Sequence, residues 1–369
     1  MSATSDLSSQ DPMPGGGPGG GSGAAAENAA GAGRVPGAGT DPGVGSVPGG
    51  VPGDRAGTAR RPSGRLGVGI ISAGRVGAVL GSALRAAGHQ VVGVHAVSEA
   101  SRERAEILLA GVPVLEIDEI VERAELVLLA VPDDALSPLV QGLADLGRWQ
   151  PGQLVVHTSG RYGTGVLEPA RRCGAIPLAI HPAMTFSGWS VDLVRLTGCP
   201  MAVTAPGPVL PIAQALAVEL GGEPFVLDEQ ARPAYHAALA HGANHLVTLV
   251  GQAVRLLGAA GVEDGAATLG PLLTAALDRA LHEGPDAALT GPVVRGDAGT
   301  LSAHLAAISA ARDAQDRPLT DVWETYRTLA AATIARQEST GRLTPSQADA
   351  LRAAVGQDEG GTADGAPRG

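Results

Sequence analysis

Two stretches of this sequence carry residue types at spacings that suit chemistry. The first is GIISAGRVG, Gly69 to Gly77, where glycines let a strand turn sharply into a helix whose free N–H groups hold an anion. Against the dinucleotide fingerprint G-x-G-x-x-G, Gly74 allows close approach of a pyrophosphate and Gly77 allows close helix–strand packing. Ser72 stands where the first glycine belongs. Its Cβ costs about 1 kcal/mol if the backbone there is left-handed, while its hydroxyl can donate to phosphate. The same turn fails as a P-loop, because Arg75 and Val76 replace the Lys-Ser/Thr pair.

The second stretch runs from Tyr235 to Val250. At about 100° per residue, His241, Asn244, His245 and Thr248 fall on one arc of a helix whose other side is Leu239, Ala243, Leu246, Val247 and Val250. Histidine moves protons near neutral pH and asparagine orients a carbonyl, as hydride transfer to C=O requires. A buried network tying helices together is the competing reading of that face. His236 points away from the arc. Two strand-end loops, HTSG (157–160) and HPAMTFSG (181–188), offer Ser159 and His181 at the sheet edge where ligands bind. In TGPVVRGDAGT, Arg295 could clamp a carboxylate in two-point fashion or pair with Asp297.

The elements that must position these residues follow from periodicity. From Arg65, short apolar runs alternate with helical spacing through RLGVGII, GRVGAVLGSALRAAG and HQVVGVHAV, and on through a short VPVLE strand, ELVLLAVP, GQLVVHTSG and GAIPLAIHP. That alternation predicts a Rossmann-like, doubly wound parallel sheet over 65–204. PMAVTAPG and GEPFVLD, with the helix between them, extend the sheet or form a bridge, so 205–228 is taken as a bridging segment. After Asp228 only helical spacing remains, and 229–355 is expected to be an all-α domain. The Gly/Pro-rich residues 1–64 and the polar residues 356–369 are expected to be disordered tails.

The end of the second strand bears on cofactor choice. An NAD site places a carboxylate there, but this chain has His95 and Ala96, followed by Ser98, Arg102 and Arg104 where a 2′-phosphate could be gripped; NADP is therefore expected.

Composition narrows the field further. All 26 basic residues are arginine, so no lysine Schiff base, lysine acid or Walker lysine exists. A net charge of −11 with 2% aromatics argues against nucleic acid as a partner. With no secretory signal and no apolar span, a cytoplasmic protein without a membrane partner is expected. Cys173 and Cys199 match no metal or disulfide spacing, and no metal is expected.

Together, GIISAGRVG, LVLLAVPDDAL, VVHTSG, HPAMTFSG, YHAALAHGANHLVTL and LTGPVVRGDAGT resemble a family of predicted bacterial oxidoreductases. These join a Rossmann-like NADP-binding domain to a helical C-terminal domain of unknown function. The resemblance covers roughly 65–355 and extends distantly to pyrroline-carboxylate reductase, prephenate dehydrogenase, ketopantoate reductase and the helical domain of 6-phosphogluconate dehydrogenase. It implies cofactor contacts at Ser72, Gly74, Arg75, Val76, Gly77, Ser98, Arg102, Val131 and Pro132, and a homodimer built on the helical half. It also implies reduction of a small carboxylate-bearing carbonyl or imine compound, with ketopantoate the leading candidate. On that reading His241 supplies the proton, Asn244 orients the carbonyl, Ser159, His181, His245 and Thr248 line the pocket, and Arg295 anchors the carboxylate. The lysine that ketopantoate reductases carry on the central helix is absent. A non-catalytic NADP-binding sensor is the alternative, and Ser72 and the missing lysine suit it.

Overall fold

The computed structural model describes residues 65–356; the expected tails at 1–64 and 356–369 lie outside them except for Gly356, which is the last residue of a helix. The chain begins β1 (Gly67–Ile71), α1 (Arg75–Ala86), β2 (Gln90–His95), α2 (Glu99–Leu108), α3 (Ile117–Arg123), β3 (Leu126–Leu129) and α4 (Asp133–Asp145). It continues with β4 (Leu154–His157), α5 (Glu168–Arg172), β5 (Ile176–Pro182), α6 (Val191–Arg195), β6 (Pro200–Thr204), α7 (Leu210–Glu219) and β7 (Glu223–Val226). The strands make one seven-stranded sheet in the order β2-β1-β3-β4-β5-β6-β7.

Side chains on successive strand residues point to opposite faces, and both faces are covered. Leu126 and Leu128 pack with α1, α2 and α7 through Leu80, Leu84, Leu108 and Leu216. Val127 and Leu129 pack with α3, α4 and α5 through Ile120, Leu136, Val140 and Ala170. The glycine turn after β1 thus lies at the carboxyl edge of the buried centre of a doubly wound sheet.

Three details depart from the pattern read in the sequence. β5 and β6 pair antiparallel, while every other neighbouring pair is parallel. Their connection, residues 183–199, carries one helix, the five-residue α6. VPVLE is no strand; Val114 makes a single bridge to Val94, because Pro113 has no N–H to extend the ladder. Residues 205–228 are not a bridge, since α7 packs on the sheet and β7 is its edge strand.

Beyond β7 the described chain is helical: α8 (Arg232–Leu239), a π-helical turn at Ala240–Asn244, α9 (His245–Ala259), α10 (Gly265–His282), α11 (Pro285–Ala288), α12 (Ala298–Ala310), α13 (Thr320–Ser339) and α14 (Pro345–Gly356). α12, α13 and α14 close around Leu301, Ile334, Ala348 and Leu351. Among the described residues no helix is long and apolar enough to cross a membrane.

Candidate active site

The turn between β1 and α1 adopts the conformation that taxes its serine. Ser72 has φ +81°, in the left-handed region where a Cβ is strained. The Ala73 N–H donates to His95 O at 2.9 Å and ties the turn to the end of β2. Gly77 is obligatory, because a Cβ there would stand 2.0 Å from Ser72 O and 3.0 Å from Ala130 Cβ. Gly74 precedes α1 with no side chain capping the helix, which leaves first-turn N–H groups for an anion.

A cavity of about 510 Å³ opens beside this turn. Ser72, Gly74, Ser98 and Val131 line it, together with His95, Ala96, Ser101 and Arg104, and no carboxylate is among the lining residues. Ser98 also caps α2, its hydroxyl accepting the Ser101 N–H at 3.2 Å. The other expected contacts fall elsewhere. Arg102 is exposed and Arg104, two residues on and half-buried, takes the place at the cavity wall. Gly77 and Val76 face the hydrophobic packing of α1, Arg75 is exposed in the first turn of α1, and Pro132 sits at the N-terminus of α4.

A second cavity, about 400 Å³, lies where the β5 end meets α8 and the π turn. Its wall includes His181, Met184, Thr185, His236, Leu239 and Asn244. His181 Nδ1 and the Tyr235 hydroxyl share a hydrogen bond of 2.9 Å, and the His181 and His236 rings meet edge to face with centroids 6.4 Å apart. Burial, reinforced by the Arg232 charge, lowers the His181 pKa to about 4, so this imidazole is neutral at physiological pH.

Arg232 fixes this wall. Its side chain is fully buried, and its guanidinium donates to Thr204 Oγ1 (2.8 Å), Ser159 O (2.9 Å), Ala179 O (3.1 Å) and Ala202 O (3.1 Å). One arginine from α8 therefore ties the helical half to the loop after β4 and to β5 and β6. Desolvation pulls its pKa down to about 10, which leaves it charged at neutral pH. Glu229 adds a second tie, accepting the N–H groups of Thr164 (3.0 Å) and Gly165 (2.7 Å).

Several expected site residues are not brought to this cleft. Ser159 Oγ accepts the N–H groups of Arg161 and Tyr162, both at 3.2 Å, so it shapes its own loop. His241, His245 and Thr248 line a separate groove of about 430 Å³ facing Glu324, Thr325 and Thr328 of α13. There His241 Nδ1 and His245 Nδ1 share a 3.0 Å hydrogen bond. Arg295 is exposed on the loop before α12 and does not line the cleft, while Asp297 caps α12 by accepting the Thr300 N–H at 2.9 Å. Of the expected polar arc, only Asn244 reaches the sheet edge, because the π turn inserts a residue and re-aims the face.

Sequence reasoning passed over Arg232, Tyr235 and His236. A signal was present: His236, Leu239, Ala240, Ala243 and Asn244 follow i, i+3, i+4, i+7, i+8, one helical stripe.

Two family models match this chain: a Rossmann-like domain over 52–182 and a domain of unknown function, DUF2520, over 199–333. The chain carries both domains. The DUF2520 match begins before β6 and takes in the last two strands, Arg232, the π turn and the His236 stripe. No curated protein matches the sequence. Among solved structures, a candidate NADP oxidoreductase from Bacteroides fragilis is similar over 72% of this chain and 96% of its own, at 24% identity and a TM-score of 0.59. An imine reductase from Myxococcus stipitatus in complex with NADP+ is similar over 74% and 94%, at 18% identity and a TM-score of 0.53. An imine reductase from Pseudomonas sp. is similar over 78% and 99%, at 19% identity and a TM-score of 0.52. At these identities the likeness establishes the fold.

Proposed function

We propose that this chain is an NADP-dependent reductase of a small compound bearing a C=O or C=N bond, bound in the cleft at the end of β5. The observation that carries the reading is the convergence of His181, His236 and Asn244 on one cleft, at the carboxyl edge of the sheet that also carries the glycine turn. The residues at the turn suit the dinucleotide: no carboxylate lines the cavity, Arg104 does, and Arg104 Nε is buried without a hydrogen-bond partner among the described residues. When bound, the nicotinamide supplies a hydride to the unsaturated carbon.

The protein's own part is the proton and the orientation. His236 is the proton donor to the oxygen or nitrogen of the reduced bond, and Asn244 holds that atom through its side-chain amide. Neutral His181, braced by Tyr235, holds His236 edge-on and keeps its orientation. The cleft wall has no arginine, so it suits an uncharged carbonyl or an imine better than a carboxylate such as ketopantoate, for which Arg295 was the anchor. The imine reductases of similar fold agree with that choice.

The helical half also offers a face for a second copy. α10 spans 18 residues of which only Gly265 is buried, and Leu272, Leu277 and Leu281 stand exposed along it. Apolar surface on that scale marks an interface, and a homodimer through α10 is our assignment; light scattering on the wild type and on Leu277→Asp checks it, a dimer and a monomer being expected.

The test of the activity is NADPH consumption with 1-pyrroline, a neutral ketone panel and ketopantoate, using wild type and His236→Ala. Turnover reduced about 100-fold by His236→Ala, at unchanged NADPH affinity, is expected. NADPH binding without turnover of any compound favours the sensor. Failure to bind NADPH overturns both.

A further inference from the structure

The connection from β5 to β6 touches both cavities. Ala183, Met184 and Thr185 line the cleft. A few residues on, the chain lies across the start of α1 and the side of α2. A Cβ on Gly188 would stand 2.8 Å from Arg104 Nε and 3.1 Å from Arg75 Cα, and Gly188 has φ +89°, so only glycine makes this approach without strain. The next residue, Trp189, presents its ring 5.8 Å from the Arg104 guanidinium carbon, within cation–π range. Asp192 holds the turn in place: its side chain is fully buried, and Oδ2 accepts the Gly188 N–H at 2.7 Å and the Ser187 hydroxyl at 3.0 Å.

On the cavity side, Arg104 is fixed at one point. Its Nη1 donates to Ala100 O at 3.0 Å, one turn back on α2. Its Nε has no acceptor among the described residues. The rest of the fork is uncommitted at the cavity wall, beside Ser98 and Ser101 and next to the end of β2, where this fold reads the ribose of a dinucleotide. A planar fork with spare donors recognises a phosphate monoester well, but only if its long side chain is held in one orientation. Nothing on α2 itself supplies that hold beyond the single backbone bond.

We propose that Trp189 is a positioning residue for cofactor choice: stacked on Arg104, it holds the guanidinium toward a 2′-phosphate. Preference for the phosphorylated dinucleotide then depends on a residue 85 positions further along the chain, in the connection that also lines the cleft. The inference rests on the NADP reading given above.

Calorimetry tests it, with NADPH, NADH and adenosine 2′,5′-bisphosphate titrated into the wild type, Trp189→Ala, Trp189→Phe, Arg104→Ala and the Trp189→Ala/Arg104→Ala double variant. Trp189→Ala is expected to weaken NADPH and the bisphosphate about tenfold while NADH stays within about twofold. Trp189→Phe, which keeps an aromatic face, is expected to retain most of the preference. Because Trp189 acts through Arg104, the double variant is expected to bind NADPH no more weakly than Arg104→Ala alone. Equal weakening of NADPH and NADH in Trp189→Ala, no change in either, or additive losses in the double variant overturn the role of Trp189 and leave the NADP reading standing. A wild type that binds neither dinucleotide, or prefers NADH, overturns the NADP reading and this inference together.

Discussion

The centre of the sheet and the first long helices behind it are built on opposite terms. β1, β3 and β4 are buried at every residue. α9 and α10, two of the three longest helices, bury one residue each, Gln252 and Gly265. The central strands are covered on both faces by helices of their own half, which also shapes the cavity beside the glycine turn. The helical half closes only at α12 to α14 and leaves the rest for another surface. What joins the two is polar: Arg232 donates to the loop after β4 and to β5 and β6, and His236, one turn on in α8, meets the His181 ring.

That contrast can be broken first at the joint. Arg232→Ala removes a buried donor from three carbonyls and from the Thr204 hydroxyl and empties a fully buried volume, which should cost about 4 kcal/mol in urea denaturation. An unchanged midpoint would show that the halves are held elsewhere.

A matched pair of glycine substitutions comes next. Gly77→Ala forces a Cβ against Ser72 O and should destabilise by about 3 kcal/mol and abolish dinucleotide binding. Gly251→Ala, in α9, meets nothing within 4 Å and should stabilise by about 1 kcal/mol through helix propensity. Destabilisation at Gly251 instead would show that this face of α9 is covered in solution.

Acid separates the halves through His157. Burial lowers its pKa to about 4, and its ring is fully engaged, with Nε2 donating to Gly163 O at 2.8 Å and Nδ1 accepting the Ser159 N–H at 3.2 Å. Between that value and the ordinary one, the unfolded chain takes up a proton that the folded chain refuses. Stability is therefore full above the ordinary histidine pKa and falls as pH drops, by about 2 kcal/mol near pH 5 from this residue. His181 acts in the same direction. His157→Asn should flatten the dependence, read from urea midpoints across the window; an unaltered slope would assign the acid loss to other groups.

The smallest effect is at Ser72. Relief of its left-handed strain, set against the greater freedom of glycine in the unfolded chain, gives Ser72→Gly a gain of about 0.5–1 kcal/mol. NADPH affinity falling in the same variant would show that the hydroxyl reaches the phosphate.

The legible parts of the molecule were those governed by near neighbours in sequence. Short, continuous apolar runs such as Leu126–Leu129, alternating with helical spacing, placed the parallel strands, and the glycines of 69–77 marked the sharp turn from strand to helix. The site was half legible. His181 and Asn244 line the cleft, whereas His241 lines a separate groove, because regular helical spacing does not foresee the π turn at 240–244. Arg102 and Arg104 are equivalent in sequence; burial and the approach of Gly188 distinguish them.

By itself, then, the sequence determined a doubly wound sheet, a glycine-rich strand-to-helix turn with a serine at its first glycine position, and a helical second half without lysine chemistry. Those follow from side-chain periodicity and backbone sterics, which act over a few residues. Only the tertiary structure decided which histidine faces the cleft, that β6 runs against β5, and that Arg232 and Trp189 serve sites far from them in the chain. Each of these depends on a contact between segments whose separation no local pattern records.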